Sequence, residues 1–96
     1  MTKAEILERL RLALPALRAR FGVVRIGVFG SVARGEAGPE SDVDVLVDVA
    51  RPISYFDLVR LEDAVSERIG MRADLHLRGE LRAHVRRTAE RDLILA

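Results

Sequence analysis

Two short apolar runs joined by a polar, turn-rich loop constrain this chain more than any other feature. Val24 to Phe29 reads as one strand, and about Asp42 to Asp48 reads as another. Between them lie Gly30-Ser31, then Gly35, Gly38-Pro39 and Ser41, all turn formers. In a strand, side chains i and i+2 point to one face. Asp42 and Asp44 would therefore stand side by side, with Val43, Val45 and Val47 on the opposite face. Two carboxylates packed together raise each other's pKa unless a cation intervenes, and oxygen ligands of this kind suit Mg²⁺. Upstream, Gly30 lets a backbone approach a bulky anion and Ser31 adds a hydroxyl. Ser31 to Gly35 has room for a helical turn whose amides would point toward a phosphate. A phosphate cradle beside paired carboxylates is the arrangement that phosphoryl or nucleotidyl transfer requires.

Neighbouring motifs fail on inspection. Gly30 to Gly35 has the glycine spacing of a P-loop, but Glu36-Ala37 stands where Lys-Ser/Thr is needed. Asp42-Val43-Asp44 could open a calcium loop, but Leu46 and Val47 replace the next ligand and the turn glycine. The plain alternative is a turn with two solvated aspartates. The spacing and the flanking runs together favour a site.

Gly30-Ser31, ten further residues, then Asp42-Val43-Asp44 resembles the signature of the polymerase β-type nucleotidyltransferase superfamily. Phe29-Gly30-Ser31-Val32-Ala33-Arg34-Gly35-Glu36-Ala37 and Ser41-Asp42-Val43-Asp44-Val45-Leu46-Val47 resemble its smallest branch, the minimal nucleotidyltransferase (MNT) domains. These are often the antitoxin half of HEPN/MNT toxin–antitoxin pairs. In order and length the resemblance covers nearly the whole chain. It implies an α/β fold with a small mixed sheet and flanking helices, one domain over residues 1–96. It also implies a third acid on the next strand, and Asp74 stands in the matching place. The plain alternative for Asp74 is an edge-strand charge that blocks aggregation. Asp42, Asp44 and Asp74 would be the catalytic, metal-binding carboxylates, holding two Mg²⁺ ions. Gly30 and Ser31 would bind the triphosphate of ATP. Arg34 would either add positive charge there or pair with Glu36 or Asp48. The implied reaction moves AMP from ATP to a tyrosine hydroxyl of a HEPN toxin, with release of pyrophosphate. Two rivals stand beside it: a module that neutralises the toxin by masking alone, and a small-molecule nucleotidyltransferase working as a homodimer.

The rest of the chain supplies a frame. At 96 residues it has room for one modest core. Hydrophobic residues at 49% and charged residues at 32% describe a globular, water-soluble chain. A formal net charge of +1 implies no general attraction to nucleic acid, and none is expected to bind directly. Cysteine is absent, so no disulfide framework or thiolate zinc site arises. No apolar run reaches membrane-spanning length and no signal-peptide core is visible, so the expectation is a cytoplasmic protein.

Thr2-Lys3-Ala4-Glu5 has capping-box form and predicts a first helix with Ile6, Leu7, Leu10, Leu14 and Leu17 on one face. Pro15 either kinks it or opens a second segment, and Gly22 caps its end. In the first strand Val24, Ile26 and Val28 are expected to share a face, with Gly27 either admitting another backbone or relieving crowding. Ser54 caps a second long helix with Leu58, Leu61, Val65 and Ile69 inward; Tyr55 and Phe56 are expected to pack on the sheet. That helix makes the link long enough for a parallel crossover to a third strand, about Arg72 to Leu77. His76 shares a face with Asp74 there. It either orients that carboxylate, touches substrate or is simply polar at a sheet edge. His84 carries no site signal. Arg78, Arg82 and Arg86 would line a solvated stripe if the last helix begins early enough, and Leu93-Ile94-Leu95 must pack onto the domain or another chain.

Overall fold

The computed structural model describes every residue except Ala37, Pro39 and Glu40, so the Gly38-Pro39 turn expected from sequence falls partly outside the described residues. Helix α1 runs from Lys3 to Phe21. Strand β1 (Val23–Phe29) feeds a single helical turn, α2 (Gly30–Arg34), and strand β2 covers Val43–Val49. Helix α3 (Tyr55–Ile69) leads to strand β3 (Ala73–Leu77), a 3₁₀ turn at Arg78–Glu80, helix α4 (Ala83–Asp92) and strand β4 (Ile94–Leu95). The sheet order is β3-β2-β1-β4. β1 is antiparallel to β2 and β4, while β2 and β3 are parallel. The sheet is therefore mixed, and α3 is the crossover that a parallel pair requires.

Local chemistry explains the helix ends. Thr2 Oγ1 accepts from the Glu5 amide at 3.1 Å, and Ser54 Oγ does the same for Asp57 at 3.1 Å. Pro15 does not break α1. It lies on the exposed side, where the carbonyl it leaves without a donor meets water. α1 and α3 bury Ile6, Leu10, Leu17, Leu61, Val65 and Ile69 against Val28, Val43, Val45 and Val47 of the sheet. α3 also protects the sheet edge: Ser66 Oγ and Glu62 Oε2 accept from the β3 amides of Ala73 and Leu75 at 2.9 and 3.0 Å.

Three expectations change. Val24 is 40% exposed, not inward, because the β1–β2 register slips between Val23 and Arg25 and hands the core position to Val23. Tyr55 and Phe56 are each 75% exposed rather than packed on the sheet. They sit in the first turn of α3, and at 100° per residue Phe56 falls opposite the Leu58–Leu61–Val65–Ile69 stripe. The arginine stripe does not form, since α4 starts only at Ala83 and Arg78 pairs with Glu90 at 2.5 Å.

The Leu93–Leu95 segment packs back on the domain. Ile94 and Leu95 pair with Val28 and Gly27, and Leu93, Leu95 and the 3%-exposed Leu46 border one cavity on the sheet face away from α1 and α3. A Cβ on Gly27 would lie 2.5 Å from the Ile94 carbonyl oxygen, so this glycine admits a backbone. Gly27→Val is expected to cost about 1–3 kcal/mol, the range for overpacking. Urea unfolding checks it; unchanged stability would mean β4 is dispensable.

Candidate active site

The strand register builds the site. Phe29, Asp44 and Asp74 lie in one row across β1, β2 and β3. Asp44 alternates with the buried Val43 and Val45 and so faces away from the core, as sequence periodicity requires. His76 lies diagonally across from Asp44, one pleat along β3. Its Nε2 is 3.3 Å from Asp74 Oδ2 and 3.9 Å from Asp44 Oδ1. The Phe29 ring meets the imidazole edge-on, 5.3 Å between centroids. One donor atom from each of Asp44, Asp74 and His76 lies within 4.8 Å of the others.

Asp42 is not in that tight group. It precedes β2 by one residue, is exposed, and lies 3.8 Å from the Arg72 guanidinium. Asp42 stands one residue ahead of the strand, and its charge still acts on Asp44, helping to hold that carboxyl's proton. Both partners of the Arg72 contact are solvated, so the contact is worth little and yields readily.

Gly30 begins α2 with φ +71°, and a Cβ there would collide with Asp44 Oδ2. The turn and the carboxylate thus touch because residue 30 has no side chain. Ser31 is half-buried in the same turn. α2 is held from α1 by Lys3 Nζ, which donates to the Ala33 carbonyl at 3.3 Å. Arg34 pairs with Glu36 at 3.1 Å and with Asp92 of α4 at 2.7 Å, not with Asp48, which Arg25 holds at 2.6 Å. A cavity of about 270 Å³ adjoins Gly30, lined by Phe29, Arg34 and, from α4, His84, Val85, Thr88 and Asp92. Nothing in the local sequence marks these α4 residues; only the fold brings them beside the turn.

Burial pushes the Asp44 carboxyl above its ordinary value, and the Asp74 charge pushes it the same way; His76 opposes both. A carboxyl raised in the folded state binds its proton more tightly there, so stability falls as pH rises from the ordinary value of 3.8 through the raised one. Asp44→Asn is therefore expected to unfold at a higher temperature than the parent chain at neutral pH without metal, with the gain vanishing on acidification below that window. A less stable variant at neutral pH would mean that partners of Asp44 outweigh its burial.

The donors fit a hard divalent cation: two carboxylates under mutual repulsion, one desolvated, beside a turn whose missing Cβ makes room for the Asp44 carboxylate.

A family model described as a nucleotidyltransferase domain matches residues 10–96. The chain is 42% identical over 78 residues to protein adenylyltransferase MntA of Thermococcus cleftensis, covering 81% of this chain and 79% of that one. A solved structure of a candidate minimal nucleotidyltransferase superposes with a TM-score of 0.79 at 39% identity, covering 98% of this chain and 95% of that one. A tri-AMPylated HEPN toxin of Shewanella oneidensis in complex with its MNT antitoxin gives a TM-score of 0.68 over 95% of this chain and 70% of that one. At 15% identity that likeness is one of fold.

Proposed function

This chain belongs to the nucleotidyltransferase domain family, and on that basis we propose that it transfers AMP from ATP to a tyrosine hydroxyl of a HEPN-type toxin, releasing pyrophosphate and acting as antitoxin. The observation that carries the proposal is the Asp44–Asp74 pair on neighbouring strands, with Asp44 pressed against the Gly30 turn. Asp42, Asp44 and Asp74 would hold Mg²⁺. Bound there, the metal would neutralise the triphosphate and stabilise charge on the entering and departing oxygens. The Gly30 and Ser31 amides and the Ser31 hydroxyl bind the phosphate tail. Arg34, already shared between Glu36 and Asp92, contributes field rather than a free hand.

Asp74 is the more solvent-facing of the pair, 53% exposed against 30% for Asp44. An acceptor hydroxyl arriving from outside reaches it first. As the acceptor oxygen bonds to the α-phosphorus and the bond to pyrophosphate breaks, the Asp74 carboxylate takes the hydroxyl proton. His76, 3.3 Å away, restrains that carboxylate. The acceptor must bind on the open side of the sheet, and a protein partner can supply the missing wall. The toxin in the Shewanella oneidensis complex and the activity named for the Thermococcus cleftensis relative support this choice.

The test is incubation of this chain with a HEPN protein encoded beside it, ATP and Mg²⁺, followed by intact-mass spectrometry. The toxin should gain one or more AMP units on tyrosine. Neutralised toxin of unchanged mass would establish masking instead.

A further inference from the structure

We propose that His76 is a direct metal ligand, so that Asp44, Asp74 and His76 form a mixed oxygen–nitrogen site that prefers a transition-metal divalent ion to Mg²⁺. This rests on the reading of Asp44 and Asp74 as metal ligands and adds a donor of another kind. Ligand atoms about 2.1 Å from one shared ion lie about 3.0 Å apart at right angles and about 4.2 Å apart when opposed. The Nε2 separations of 3.3 Å from Asp74 and 3.9 Å from Asp44 fall inside that span. All three donor atoms lie within 4.8 Å of one another, so a shift of no more than several tenths of an ångström lets one ion touch all three residues. The imidazole is already aimed: the Phe29 ring abuts it edge-on, and β3 fixes it one pleat from Asp74 on the same face. Imidazole suits Co²⁺, Ni²⁺ and Zn²⁺, whereas Mg²⁺ prefers oxygen and keeps its water. Adding a nitrogen to two carboxylates hence raises affinity along the transition series and does little for Mg²⁺.

The alternative role for His76 is that of a cation bridging two carboxylates, and the two roles differ in sign. A ligand lost lowers transition-metal affinity. A competing cation lost raises the affinity for every divalent ion.

The experiment uses the full chain with Mn²⁺ and inorganic tripolyphosphate, a probe that contains no nitrogen. Histidine is labelled with ¹⁵N in the ring; the chain has only two histidines, His76 and His84. Pulsed electron paramagnetic resonance should show a directly bound imidazole nitrogen in the parent chain and none in His76→Val. Calorimetry should show Co²⁺ affinity falling by about tenfold or more in the variant, at least the loss typical of a metal site's supporting residues, with Mg²⁺ much less changed. Bound Mn²⁺ without a nitrogen coupling, or a variant that binds all three ions more tightly, overturns the inference and leaves the carboxylate site standing. Absence of any Mn²⁺ binding sensitive to Asp44→Asn overturns both readings. The parent-chain spectrum decides the matter even if the variant fails to fold.

Discussion

Asp44→Asn combined with Asp74→Asn is expected to abolish adenylyl transfer while leaving the fold intact. Each change is nearly isosteric and removes one negative charge from the open face of the sheet. Neither residue belongs to the buried cluster between the sheet and helices α1 and α3. Loss of the charges that hold the metal removes several kcal/mol of transition-state stabilisation, on the order of a thousandfold or more in rate. The apo double variant should be no less stable than the parent chain at neutral pH, since burial and mutual repulsion already disfavour the Asp44 charge. Transfer is read from the mass of the partner toxin, folding from thermal denaturation, and antitoxin action from growth of cells expressing both proteins. If transfer is the biological role, growth rescue fails with the double variant. Full rescue by a folded, transfer-dead protein would assign the antitoxin effect to masking.

Gly30→Ala should damage both stability and activity, for two separable reasons. At φ +71° any side chain is strained, by about 1–2 kcal/mol. The new Cβ also collides with Asp44 Oδ2 and lies 3.2 Å from its Cγ. The carboxylate must rotate away or the turn must shift, at a further cost of about 1–3 kcal/mol. The combined loss, about 2–5 kcal/mol, would lower the melting temperature by about 8 °C or more in a domain of this size, roughly 4–8 °C per kcal/mol. Transfer should fall about a hundredfold or more even at temperatures where the variant is folded, since the strain falls on the metal-facing carboxylate. Parental activity in a destabilised variant would show that Asp44 tolerates displacement and that the close packing serves folding alone.

Local rules were enough for several features. Capping residues Thr2 and Ser54, the αL cap at Gly22, and the outward face of Asp44 opposite Val43 and Val45 all follow from neighbours within a few residues. The length of chain between β2 and β3 allows their parallel partnership, while the register that sets Asp44 beside Asp74 belongs to the fold.

Other features depend on contacts that no local pattern encodes. The slip between Val23 and Arg25 turns Val24 outward, and periodicity carries no mark of a bulge. Asp42 and Asp44 share a spacing of two, but only the fold sets Asp42 beside Arg72 and Asp44 in the close group with Asp74 and His76. Arg34 finds Asp92 because α4 folds over α2, 58 residues along the chain. Leu46, on the face opposite the core, is covered by Leu93 and Leu95, and Gly27 is small because Ile94 crosses it. His76 enters the carboxylate pair only where two strands from opposite ends of α3 lie side by side. Spacing along one strand or helix is set by backbone geometry and can be read in order. Spacing between elements is set by how side chains pack once several elements have met, and that exists only in the folded chain.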